Sequence, residues 1–303
     1  MNTTRSARDE ALRPTPYEMA FPDEGFVESR FRAIEEEART RDASLDESGA
    51  FLLLAQVGRV LRDLGGEASP TALVPTFGAF LFHAFHFHRA DTPSFLVETS
   101  TLRYLLEADA APDRWEGELP APAGYLQLPR HLLWARPGGE EGPAEAVDGI
   151  FWTQSTRGTL NFLAVTGIRG DRAGFSVLPV PPVPLGEVVS WMTRPAREEG
   201  EDFATTLPGG ELDRLYSLET AGEVVKLAAR ILAHAVTVEG AMGEEEPPPP
   251  GPESAAESPS KPEPEPPSEP PSKPASDTAP RSASGPDPRS ASRLPFRRIR
   301  LAG

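Results

Sequence analysis

The stretch FHAFHFHR, residues 82–89, sets His83, His86 and His88 among phenylalanines. An imidazole can ligate a metal, carry a proton or hydrogen-bond within a core. On a helix His83 and His86 share a face and His88 points elsewhere; on a strand His86 and His88 share a face and His83 opposes them. Neither geometry assembles three ligands from this segment. Zinc needs three or four, with nitrogen at about 2.0–2.1 Å, so His83 and His86 would have to recruit a remote residue such as His131, His234, Asp91 or Glu98. The spacing H-x-x-H also lacks the glutamate of the helical zinc signatures. The favoured expectation is packing: histidines that edge an aromatic core and donate to backbone carbonyls. The alternative is a metal-assisted hydrolytic enzyme built on the His83/His86/His88 segment, holding a divalent metal; apart from that no cofactor is predicted.

A second constellation lies on two apolar runs, LPRHLLWAR and GIFWTQ. Arg130, His131, Trp134 and Trp152, set on neighbouring strands, define a candidate ligand pocket. Ordinary cross-strand pairing of large aromatics accounts for the same residues, since such pairs stabilise any sheet by roughly 0.2–1 kcal/mol. Ser176 in AGFSVL lacks the second glycine of a nucleophile elbow, and neither a P-loop nor a G-x-G-x-x-G turn is present. The runs Glu35-Glu36-Glu37 and Glu198-Glu199-Gly200-Glu201-Asp202 read as solvated surface. No pattern identifies a reaction.

The C-terminal stretch RSASRLPFRRIRLAG is different in kind. Arg289, Arg293, Arg297, Arg298 and Arg300 carry +5 with no acidic residue, interleaved with Leu294, Phe296, Ile299 and Leu301. Charge for steering and apolar anchors for a groove or sheet edge make this a docking peptide. It sits on a tether. Of 35 prolines, 16 fall between Glu244 and Ser292, in a Pro/Glu/Ser-rich stretch with almost no large apolar side chain, which predicts disorder. As a flexible coil that tether spans roughly 40 Å and presents its peptide at an effective concentration near millimolar. The peptide then reaches either a partner or its own domain.

The elements that must position these groups follow from periodicity. Residues 1–22 read as a loose arm and EGFVESRFRAIEEEARTR as a helix over 24–41. Ser44 and Glu47 match a capping box ahead of a stripe from Leu52 to Leu64, stopped by Gly65-Gly66. Pro75 is expected to break the next apolar segment and leave a buried helix over 76–88. SFLVETSTLRYLLEAD is either one helix or a strand feeding a helix near Ser100. Beyond Pro112 the period shifts to 2, and four apolar runs with short links predict an antiparallel meander. A helix over 185–193 follows, and a last one contains Val224, Leu227 and Ile231.

The fold class expected is therefore α+β: a helical N-terminal layer packed on a four-stranded antiparallel meander, a closing C-terminal helix, then a disordered tail. The domains are 1–22, a flexible arm; 23–243, one acidic domain; 244–292, the linker; and 293–303, the basic-apolar peptide. Residues 1–243 carry 36 acidic and 22 basic side chains, so the body is at −14 and repels nucleic acid and anionic lipid. There is no cysteine, which removes disulfides and thiolate chemistry. No run of about 20 apolar residues offers a membrane span and no signal segment is evident, so a cytoplasmic location is expected. These observations lead to a non-enzymatic binding or adaptor protein, an acidic globular domain with a tethered docking peptide and a protein partner. Nucleic acid is disfavoured and the oligomeric state is left open.

Overall fold

The computed structural model describes residues 13–21, 23–65, 70–107, 115, 117–136, 143–167, 176–193, 216–217, 221–239, 241–244 and 298–301. By contacts the chain divides into two units, one of residues 1–245 with 293–303 and the other of 246–292. The second unit, which is most of the proline-rich linker, lies outside the described residues. So does the acidic cluster from Glu198 to Asp202.

The arm is docked from Arg13 onward. α1 (Pro16–Ala20) is capped by Thr15, whose hydroxyl accepts from the Glu18 amide while Glu18 accepts from the Thr15 amide. Tyr17 is buried against Phe21 and Phe87, and this aromatic contact explains why the expected loose arm ends early. α2 (Glu24–Arg41) begins at Asp23, whose carboxylate accepts from the Phe26 amide at 2.7 Å. Val27, Phe31, Ile34 and Ala38 form its buried stripe.

The Ser44–Glu47 capping box does not form. α3 (Ser48–Leu52) starts at Glu47 with no side-chain cap, and the chain turns at Leu53 before α4 (Ala55–Gly65). The cap of α4 comes from another element. Glu37 on α2 accepts from the amides of Ala55 and Gln56 at 2.9 and 2.8 Å. Pro75 does not break its helix either, because α5 runs unbroken from Pro70 to Arg89. The missing proline donor costs one bond near the helix start. Complete burial of Phe80, Leu81, Phe82, Phe85 and Phe87 outweighs it.

The ambiguous segment resolves as β1 (Ser94–Val97) followed by α6 (Thr99–Glu107). The meander is present as β2 (Ala123–Gln127), β4 (Glu145–Gln154), β5 (Thr159–Thr166) and β6 (Ser176–Pro179), each antiparallel to the next. Short strands flank it: β3 (Leu133–Ala135) pairs with β4, and β7 (Val183–Pro184) pairs with β5. α7 (Leu185–Met192) follows, then β8 (Tyr216–Ser217), which pairs with β3, and α8 (Ala221–Thr237). β9 (Met242–Glu244) and β10 (Arg298–Leu301) complete the sheet.

The class is α+β, but the sheet is mixed rather than purely antiparallel. Its order is β6-β5-β4-β2-β1-β10-β9, and β1 runs parallel to both β2 and β10. For β1 and β2 the physical reason is α6: a helix between them carries the chain back to the starting end, and such a crossover is what parallel pairing requires.

Both faces of the sheet are covered. Tyr125, Phe151, Leu163, Val165 and Val177 meet the helices of the N-terminal half. Phe95, Leu126, Ile150, Trp152 and Phe162, one position out of phase, meet α6, α7 and α8. This explains why the strand runs are continuously apolar rather than alternating with polar residues. Gly124 sits where a side chain would strike the Trp152 ring, a Cβ there falling 2.0 Å from its Cη2 atom. The absence of a side chain at Gly124 leaves room for the Trp152 ring.

Candidate functional site

The three histidines are held apart by separate partners. His83 is buried on α5, its Nδ1 3.0 Å from the Thr153 hydroxyl of β4. Desolvation, with the neighbouring His86 second, pushes its pKa down to about 3. His86 Nε2 donates to the Leu45 carbonyl at 3.0 Å. Desolvation lowers this imidazole too, against the opposing effect of that carbonyl and of Asp46. His88 Nδ1 lies 2.9 Å from the Tyr17 hydroxyl, its ring against Tyr17 and Phe31. Burial holds it below the usual imidazole range although Glu28, Glu24, Asp91 and Glu35 oppose the shift. All three are therefore neutral near pH 7 and act as polar struts between α5 and its neighbours. Among the described residues no group of three His, Cys, Asp or Glu side chains is placed to hold a metal ion.

The four pocket candidates are not assembled in one place. Arg130 and His131 are exposed in the turn between β2 and β3, where His131 takes a left-handed φ of 59°. Its ring lies 6.0 Å from Trp134. Trp152 is fully buried elsewhere, packed on Phe95 with its indole N–H donating to the Ala121 carbonyl. Trp134 pairs with Ala146 of β4. Trp152 stands six residues further along that strand, about 20 Å away at roughly 3.3 Å per residue.

The docking peptide is placed in part. Arg293, Leu294, Phe296 and Arg297 lie outside the described residues, whereas Arg298, Ile299, Arg300 and Leu301 form β10. This strand fills the lane between β1 and β9, in the register Ser94 to Arg298, Phe95 to Ile299, Leu96 to Arg300 and Val97 to Leu301. Leu301 is fully buried in the same core as Phe95, Val97 and Leu102. Its carbonyl accepts from the Glu98 amide at 3.2 Å and from the buried Thr101 hydroxyl at 3.3 Å. The lane thus combines a strand edge, an apolar socket and two converging donors.

Residue-by-residue reading missed Thr101, and it weighed Glu98 only as a remote metal ligand. The signal for them was the four-residue run SFLV followed at once by E-T-S-T, a buried strand running into a helix start whose hydroxyls and amides face the strand's end. It also missed Arg230, buried in the Ala/Val/Leu-rich α8. Its guanidinium donates to the Met192 carbonyl at 3.0 and 2.8 Å and to the Leu105 carbonyl at 2.8 Å, tying together the C-terminal ends of α7 and α6. Lys226 and His234 are buried one turn to either side. Basic residues at i, i+4 and i+8 within an otherwise apolar helix were the available sign.

No family model and no curated protein matches the chain. Among solved structures the fold is similar to a crystal structure of AcrVA2, at a TM-score of 0.38 and 13% identity, over 79% of this chain and 71% of that one. A likeness at this level carries no argument about function. Among the described residues no helix is long and apolar enough to cross a membrane.

Proposed function

We propose that this chain is a non-enzymatic binding protein: an acidic α+β body that recognises a protein partner, with residues 293–301 as its docking element. One observation carries the reading. Residues 298–301 of the segment singled out by its basic-apolar alternation occupy a lane in a sheet, where Leu301 is fully buried and its carbonyl meets two donors. A peptide that adds to a sheet edge by backbone bonds and inserts an aliphatic anchor uses a general mode of protein recognition. The net charge of the chain, −16, is an unfavourable field for nucleic acid and a favourable one for basic protein surfaces. The histidines support the same reading, because one ring nitrogen of each is engaged in holding α5 to Thr153, Leu45 or Tyr17.

The test is isolation of the full chain from its native source, followed by light scattering and cross-linking mass spectrometry. A stoichiometric complex with a second protein, cross-linked to the body or to residues 293–301, is expected. A chain recovered alone, with no cross-linked partner, contradicts the reading.

A further inference from the structure

We propose that the edge of β1 is a peptide-binding site for a strand supplied by a partner protein, and that β10 is the occupant the chain supplies for itself. The incoming segment is extended, runs parallel to β1, and alternates aliphatic with basic residues. This proposal rests on the binding reading above and names the site and its regulation.

The lane is built to accept a strand. On one side β1 is fixed to β2, where the Tyr125 amide donates to the Pro93 carbonyl; on the other, the Glu98 amide reaches the Leu301 carbonyl. Backbone groups of a strand alternate sides, so the groups of Leu96 point with those of Glu98 toward β10. Without an occupant they would face an open edge. At the end of the lane the Thr101 hydroxyl, itself fully buried, shares the Leu301 carbonyl with the Glu98 amide. Phe95, Val97 and Leu102 belong to the core that receives the aliphatic side chain. An aspartate in place of Leu301 would have no partner in that socket.

The connection between occupant and body is long in sequence. β9 and β10 are antiparallel neighbours, a relation that a two-residue turn can close. Here residues 245–297 intervene, and a connection of roughly fifty residues holds its end at an effective concentration near millimolar. Only four residues of β10 pair with β1, and β9, its other neighbour, has three. A second copy offering the same strand at micromolar concentration loses to the one already tethered. A partner with more apolar anchors or a longer strand does not. Charge favours a basic strand, as the +5 of residues 289–301 against the −14 of residues 1–243 shows.

The probe is a fluorescent peptide of residues 293–303, titrated by anisotropy against the full chain and against a full chain carrying Ile299→Asp and Leu301→Asp, with circular dichroism to confirm folding. The opened variant is expected to bind at least ten-fold more tightly than the wild-type chain. Thr101→Val in the opened background should weaken binding several-fold, and a peptide with aspartate at both aliphatic positions should not bind. Equal binding to wild-type and opened chains, or none to a folded opened variant, overturns the proposal. Strand-swapped dimers of the wild-type chain at micromolar concentration would also overturn it, by making a second copy the partner.

Should the opened variant not fold, hydrogen exchange of the wild-type chain in millimolar peptide decides. Residues 298–301 should exchange faster while the Glu98 amide stays protected, and unchanged exchange overturns the site. Loss of the peptide site alongside a stoichiometric native partner removes this inference alone. A peptide that binds its lane in a chain with no native partner removes the functional reading and leaves the site.

Discussion

At His83 the surrounding phenylalanines and the Thr153 hydroxyl accept a neutral ring and exclude a charged one. Its folded pKa, about 3, lies below the 6.5 of the free side chain, so between those values the unfolded chain binds a proton that the folded chain does not. Stability is then fully present above about pH 6.5 and falls as pH drops toward 3, by about 1.4 kcal/mol per pH unit for each such histidine. His86 and His88 shift in the same direction and steepen the fall. Urea titrations between pH 7.5 and 4.5 should show it, and His83→Leu should flatten the slope by about one proton; a parallel profile would sink this account of His83. Gly124 makes a steric counterpart. Gly124→Ala drives a methyl into the Trp152 ring and should cost roughly 1–3 kcal/mol. In α4, Gly58→Ala meets nothing within 4 Å and should gain about 0.5–1 kcal/mol by thermal melting. Which of these glycines faces an indole depends on a strand register that no local pattern specifies.

Elements in this fold are tied end to end by single polar side chains from elsewhere in the chain. Glu37 takes the first amides of α4. Burial raises its pKa, but those two amides, with Arg41 and Arg59, outweigh that and hold the carboxyl below its usual range. Glu37→Gln should cost about 1 kcal/mol at pH 7, the ordinary scale of a lost helix cap, and the difference should shrink as pH falls and the wild-type carboxyl becomes protonated. Arg230 gathers the final carbonyls of α6 and α7, and Arg230→Met should destabilise by roughly 2–4 kcal/mol, because buried carbonyls lose charged donors. Denaturant midpoints measure both.

These ties also mark where local reading ends. Helices over 24–41 and 185–193, and the four meander strands, were legible because each carries its own period and its own turn residues. The Ser44–Glu47 box misled because a sequence-local cap competes with a tertiary one, and Glu37 wins by offering two oxygens to two adjacent amides. The break expected at Pro75 failed because one missing hydrogen bond weighs little against a helix whose next three turns are buried aromatics.

For the whole molecule the sheet is the organising surface, covered on one side by α1 to α5 and on the other by α6 to α8. The continuous apolar strands encoded that double cover, since a sheet with one solvated face alternates apolar with polar residues. The basic-apolar C-terminal segment stood out from its surroundings by composition alone. Whether its last residues would take a partner's surface or the chain's own was left open, because a parallel lane between β1 and β9 leaves no mark on nearby sequence. Leu301→Ala should cost roughly 2–5 kcal/mol, as for a buried core leucine, and not the near-zero cost of a change in a fraying terminus.

The most direct test of the account is native-state hydrogen exchange of the full chain at pH 7, read at the amides of Ile299, Arg300 and Leu301. Protection there well above the free-peptide rate, lost together with that of Glu98 in Leu301→Asp, is the predicted result. Exchange of those three amides at the free-peptide rate in the wild-type chain would contradict it.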